Sequence, residues 1–124
     1  MDESIENFFS RIKVLAFTIT EQLHAEVLKL GFNPDEIAIM NPELAIYQLE
    51  KDPYNGLNSL VGTWLDSRKN KMGSLLFHAE GSFFVEYDIA RIHPEKQQWF
   101  VEAVNAWGTA NKIKAEARLI PMPE

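Results

Sequence analysis

The 124-residue chain has no cysteine. That absence excludes a disulfide framework, a thiolate nucleophile and any zinc centre built on cysteine. Long apolar runs are missing as well. The stretch from Val14 to Phe17 falls far short of the roughly 18 apolar residues of a membrane-spanning helix. The N-terminus reads Met-Asp-Glu-Ser-Ile-Glu-Asn, acidic where a secretory signal is basic. Together these features predict a cytoplasmic protein with no membrane partner. Glycine-rich phosphate loops, His-Glu-x-x-His and Gly-x-Ser-x-Gly are also absent, so the commonest nucleotide-binding, metalloprotease and hydrolase chemistries have no footing. No catalytic, cofactor-binding or metal-ligating residue is assigned, and no cofactor is expected.

Positive charge is in short supply, with 12 Lys and Arg against 18 Asp and Glu. Residues 1–56 hold ten of the acids and four of the bases, a net −6, while residues 57–124 are balanced. Nucleic-acid binding relies on Lys and Arg neutralising phosphates, so such a partner is disfavoured. A basic protein partner fits better, although the same charge also serves solubility.

What the chain does contain is ordinary for a globular protein, with 46% apolar and 24% charged residues, and its length suits a single domain over 1–124. From Ile5 to Leu30 the apolar residues Ile5, Phe8, Phe9, Ile12, Leu15, Ile19, Leu23, Val27 and Leu30 recur every three or four positions, the period of one helix face. Gly31 and Phe32 fit a Schellman ending, and Thr18 and Thr20 mark a possible bend. Asn33-Pro34 and Asn41-Pro42 each read as an N-cap before a proline, with Asp35, Glu36 and Glu43 in the first turns. They predict a short helix over 34–40 and another over 42–50. After a turn at 52–56, Leu57, Leu60, Val61, Trp64 and Leu65 predict a further helix over 57–67.

The period then falls to two. Ser74 to His78 and Phe83 to Ile89 read as a hairpin. A three-residue loop, Ala79-Glu80-Gly81, pairs Phe77 with Phe83 and Leu75 with Val85, giving one clean apolar face and a positive-φ Gly81. His93-Pro94 starts a predicted helix that carries Trp99, Phe100, Ala103, Val104 and Trp107, with Phe100, Val104 and Trp107 covering the sheet. Lys112 to Ile120 alternates as a last strand, placed beside the first strand of the hairpin. The expected fold is α+β: a long first helix and two or three shorter helices, packed on a three-stranded, mainly antiparallel sheet with a crossover helix (ααα-ββ-α-β).

Two surfaces are candidates for function. Residues 33–56 carry five acids and one lysine, a net −4. Asp35, Glu36, Glu43, Glu50, Asp52 and Tyr54 form the expected contact region for a basic partner, where charge speeds encounter and aromatic burial supplies affinity. The alternative is a small-molecule site or unrecognised enzyme centre on the outer hairpin face, around His78, Glu86 and Asp88, since imidazole and carboxylates can hold a metal or move protons. Against it, the chosen register leaves His78 two rungs from Glu86. Glu86 and Asp88 are instead expected to pair with Lys and Arg of the last strand. His24 and His93 read as a surface residue and a capping or turn residue. The oligomeric state stays open.

Gly81-Ser-Phe-Phe-Val-Glu-Tyr-Asp88, His93-Pro94, Trp99 to Val104, Ala106-Trp107-Gly108 and Lys114-Ala115-Glu116 resemble a small bacterial family of uncharacterised domains of about this length. The resemblance brings no site residue with it. It implies a bacterial interaction protein, such as an immunity protein held against a basic toxin.

Overall fold

A computed structural model describes residues 4–88 and 99–121. Helix α1 (Ile5–Leu28) begins at Ser4, whose hydroxyl accepts the Asn7 N–H at 3.1 Å. It presents Phe8, Ala16, Ile19, Thr20, Leu23 and Val27 to the core. The helix is unbroken at its threonines, which donate their hydroxyls to the carbonyls of Val14 and Phe17. Beyond it the chain turns through Gly31, at φ 95°.

The remainder is a six-stranded antiparallel sheet in simple sequence order: β1 (Ile46–Lys51), β2 (Asn58–Leu65), β3 (Lys71–Phe77), β4 (Phe83–Tyr87), β5 (Trp99–Thr109) and β6 (Lys112–Pro121). The fold is therefore α+β, but with one helix and six strands in place of several helices on three strands. Asn41-Pro42 does start a turn, with the Asn41 side chain accepting the Glu43 N–H at 2.9 Å, yet only the 3₁₀ turn Pro42–Leu44 follows. Pro34–Ile37 is likewise a single 3₁₀ turn.

The segments expected as helices over 42–50, 57–67 and 99–108 are strands because their inward residues alternate. Tyr47 and Leu49 on β1 pack against the core, as do Leu60 and Trp64 on β2 and Val104 and Ala106 on β5. A strand side chain at i and one at i+3 lie on opposite faces, so Trp107 is on the outer face, half-exposed, while Val104 is inside. The expected stripe of Phe100, Val104 and Trp107 therefore does not exist. The side chain of Phe100 and the His93-Pro94 start lie outside the described residues. The last strand pairs with β5 and not with the first strand of the hairpin.

The hairpin itself is as expected. Phe77 pairs with Phe83 and Leu75 with Val85, the His78 N–H donates to the Ser82 carbonyl at 2.9 Å, and Gly81 has φ 108°.

Two aromatic residues set the inner face of the sheet. Tyr47 is paired across from Gly62 and Trp64 across from Gly73. A Cβ on Gly62 would lie 2.5 Å from the Tyr47 ring, and one on Gly73 would lie 3.0 Å from the Trp64 ring. The rings occupy the space the glycines leave open. Helix α1 closes over this face, from Phe9 against Tyr47 at one end to His24 against Tyr87 further along, and packs on β5 and β6.

Trp64→Ala should destabilise by about 3–5 kcal/mol, as expected for a fully buried ring; a loss below about 1 kcal/mol in chemical denaturation would show the site can collapse around the gap. Gly81→Ala should lose about 1 kcal/mol, because a Cβ there meets nothing within 4 Å and only the positive φ is penalised. Gly108→Ala should lose clearly more, since φ is 128° and its Cβ would also run into the Lys112 carbonyl. Equal losses at the two glycines would show that backbone conformation alone sets the penalty.

Candidate interaction surfaces

The pairing register lays the outward side chains of the sheet in transverse rows. Gln48, Val61, Leu76, Phe84, Trp107 and Lys114 follow one another across all six strands. The middle four are apolar and alternate with the buried Leu60, Leu75, Val85 and Ala106, so they stand on the face of the sheet opposite the core. Phe84 is 38% exposed, and Val61, Leu76 and Trp107 are half-buried among their neighbours.

Polar rows flank this stripe. On one side lie Glu50 across from Ser59, His78 hydrogen-bonded to Ser59 and Ser82, and Thr109 across from Lys112. On the other lie Ile46, Thr63, Ser74, Glu86, Asn105 and Glu116. The outer face thus carries one acid, Glu50, on β1, an apolar middle row, and Lys112 and Lys114 with Glu116 on β6.

Of the surface around His78, Glu86 and Asp88, Leu76 and Phe84 do share the outer face, but the three polar residues are not gathered. His78 is engaged with the Ser59 hydroxyl at 3.2 Å. Glu86 accepts from Ser74 at 3.2 Å and lies 3.7 Å from the Lys71 ammonium. Ser74 and His78 stand four residues apart on one strand direction, roughly 13 Å. The expected pairing of Glu86 with the last strand is replaced by Lys71 on β3 and by Asn105 across on β5. Asp88 follows β4 and donates its backbone N–H to the Met72 carbonyl. Among the described residues, no group of three or more histidines and carboxylates could hold a metal ion.

The acidic candidates are spread along the chain that leads into β1 and out of it. Asp35 is exposed in the first 3₁₀ turn, which Glu36 shares. Glu43 lies 2.9 Å from the Lys13 ammonium on α1. Glu50, on the outer face of β1, accepts from Gln48 at 3.1 Å. Asp52 closes the β1–β2 loop by accepting the backbone N–H groups of Tyr54 at 2.7 Å and Asn55 at 3.4 Å. Tyr54 at the loop tip is 97% exposed. β1 separates Glu43 from Asp52 by roughly 20 Å, so these residues form a line and not a cluster.

Leu44 and Ile46 start that line, 61% and 63% exposed. Beside them Ile46, Tyr47, Gln48, Thr63 and Leu65 line a shallow depression of about 270 Å³. Sequence reasoning missed this apolar element. The signal was the alternation Ala45-Ile46-Tyr47-Gln48-Leu49, which the preceding Asn-Pro helix start obscured.

His24 also differs from its expected surface role. It is half-buried against the Tyr87 ring, centroids 5.5 Å apart, and neither its Nε2 nor the Tyr87 hydroxyl has a hydrogen-bond partner. Burial holds the imidazole below its ordinary value of 6.5, against the opposing pull of the Met40 carbonyl and of Glu21. Burial likewise raises the Tyr87 phenol.

No family model, curated protein or solved structure matches the chain. No helix among the described residues is long and apolar enough to cross a membrane.

Because the unfolded chain binds the His24 proton more tightly than the folded one, this contribution to stability is full above pH 6.5. It is lost as the pH falls below that value toward the lower folded one. Melting temperature should therefore drop as the pH falls below about 6.5, and His24→Gln should flatten the drop. An unchanged slope in the variant would show that other groups carry the dependence.

Proposed function

We propose that the protein is a non-catalytic interaction domain that receives an extended, basic segment of a partner protein along edge strand β1. The observation that carries this reading is the composition of that edge. β1 is hydrogen-bonded to β2 on one side and to no strand on the other among the described residues. Along it stand the exposed Leu44 and Ile46, and Glu43, Glu50 and Asp52 follow the same line.

A free edge offers unpaired N–H and C=O groups to an incoming strand. Sheets commonly protect such edges with lysines, prolines or bulges, whereas β1 carries one lysine, at its last position. The flanking acids would steer a basic segment into register, and Ile46 with its depression would take one apolar side chain of that segment. The resemblance of the C-terminal half suggests one form of this activity: inhibition of a basic toxin by an immunity protein.

The probe is a short peptide alternating valine with lysine and arginine, titrated into the labelled protein and followed by NMR. Shift changes are expected at residues 46–51. The association rate should fall steeply with salt, and Asp35→Asn, Glu43→Gln and Glu50→Gln together should slow it roughly tenfold with little change in dissociation. Shift changes centred on His78, Glu86 and Asp88, or a rate indifferent to salt, would overturn the assignment.

A further inference from the structure

We infer that the outer face of the sheet is a self-association surface, on which a second copy of this chain packs about a two-fold axis parallel to the strands.

Val61, Leu76, Phe84 and Trp107 run side by side over β2, β3, β4 and β5 on the face opposite α1. Antiparallel sheets tolerate one wet face, but that face is then polar along its length. Here the stripe is continuous and partly exposed, which marks an association surface more than a solvated one.

The distribution of charge then selects the occupant. The β1 end of the outer face carries Glu50, with Asp52 just beyond it. The β6 end carries Lys112, Lys114 and Arg118, with Glu116 among them. A two-fold axis running along the strands lays β1 of one copy over β6 of the other while keeping each transverse row in line. Glu50 then faces Lys112 of the second copy and Gln48 faces Lys114. Within the stripe, Val61 meets Trp107 and Leu76 meets Phe84, each pairing an aliphatic side chain with an aromatic one. In the row beyond, Thr63 meets Asn105.

An axis running across the strands does worse. It pairs Lys112 with Glu116 of the second copy, but it sets Lys114 on its own copy and leaves Glu50 opposite Ile46. The strand-parallel arrangement leaves Glu116 over Ile46, but it gives Glu50 a basic partner and brings no like charges together. Sheets packed face to face settle at about 30° to each other, which displaces the outermost strands by roughly 6 Å, within the reach of a lysine side chain.

Six strands about 4.8 Å apart and some six residues long give a footprint of roughly 24 by 20 Å. Counted over both copies that is roughly 1,000 Å², the size of weak, transient associations, so dissociation at tens of micromolar is expected. The surface adjoins the edge of β1 and shares Glu50 with it, so a substitution at Phe84, on β4 and away from that edge, is what separates the two assignments.

Sedimentation equilibrium of the full chain tests it. The wild type should be dimeric at about 100 µM and dissociate on dilution; a monomer at that concentration would overturn the inference. Phe84→Arg should give a monomer with wild-type circular dichroism that still binds the basic peptide through β1. If Phe84→Arg remains dimeric, the outer face is not the interface. The orientation is tested by charge reversal, a readout that does not depend on tolerance of a change at Phe84. Glu50→Lys and Lys112→Glu should each weaken the dimer roughly tenfold, and the two combined should restore it. A double variant as weak as the single ones would overturn the two-fold arrangement.

Discussion

The indole of Trp64 is the point on which the rest of the structure depends. It is completely buried on β2, donates its N–H to the Asn41 carbonyl at 2.8 Å and meets the Tyr87 ring edge-on at 5.5 Å. One side chain thus fixes the connection leaving α1, the second strand and the fourth. It fits only because β3 offers Gly73 directly opposite, where any Cβ would crowd both the ring and the Glu86 carbonyl. Tyr47 over Gly62 repeats the arrangement one strand earlier. Buried indole and phenol groups need partners for their polar ends, and here the carbonyls of Asn41 and Pro42 take both. The Asn-Pro turn is therefore held by its carbonyls as much as by its cap.

From that anchor the molecule divides into an inner face covered by α1, an outer face with a central apolar stripe and an edge at β1. Histidines and carboxylates, which suggested a chemical centre, are dispersed over these surfaces and occupied by structural partners: His78 by Ser59, Glu86 by Ser74 and Lys71, Asp52 by its own loop.

The parts of the fold that were legible in the sequence are those where one periodicity had no competitor. α1 shows its helix period over seven turns, and the β3–β4 register follows from the need to keep Phe77, Phe83, Leu75 and Val85 on one side. The misread segments satisfy two periods at once. Leu57, Leu60, Val61, Trp64 and Leu65 fit a helix face, but Leu60, Gly62 and Trp64 also alternate, with β-branched Val61 and Thr63 between them favouring a strand. Asn41-Pro42 is a genuine cap, but a cap fixes only a first turn. Residues 99–108 carry apolar groups so densely that spacing alone could not choose, and pairing with both β4 and β6 decided the outcome. Of the candidate surfaces, the acids were visible and their arrangement was not, since β1 itself had been read as a helix. His24 looked solvated because its burial is created by Tyr87, a residue distant in sequence.

Strand order has a consequence for how the chain reaches this state. Every strand neighbours the next in sequence, and apart from the eleven residues between β4 and β5 the connections are short, so the sheet can assemble hairpin by hairpin with modest closure entropy at each step. The helix is the exception: made first, it packs against the strands made last. Until β5 and β6 exist, its apolar face has only part of its surface to rest on. The emerging protein therefore holds a nearly complete amphipathic helix in waiting, and the docking of its two chain-distant ends, not the pairing of strands, is the step at which the domain closes.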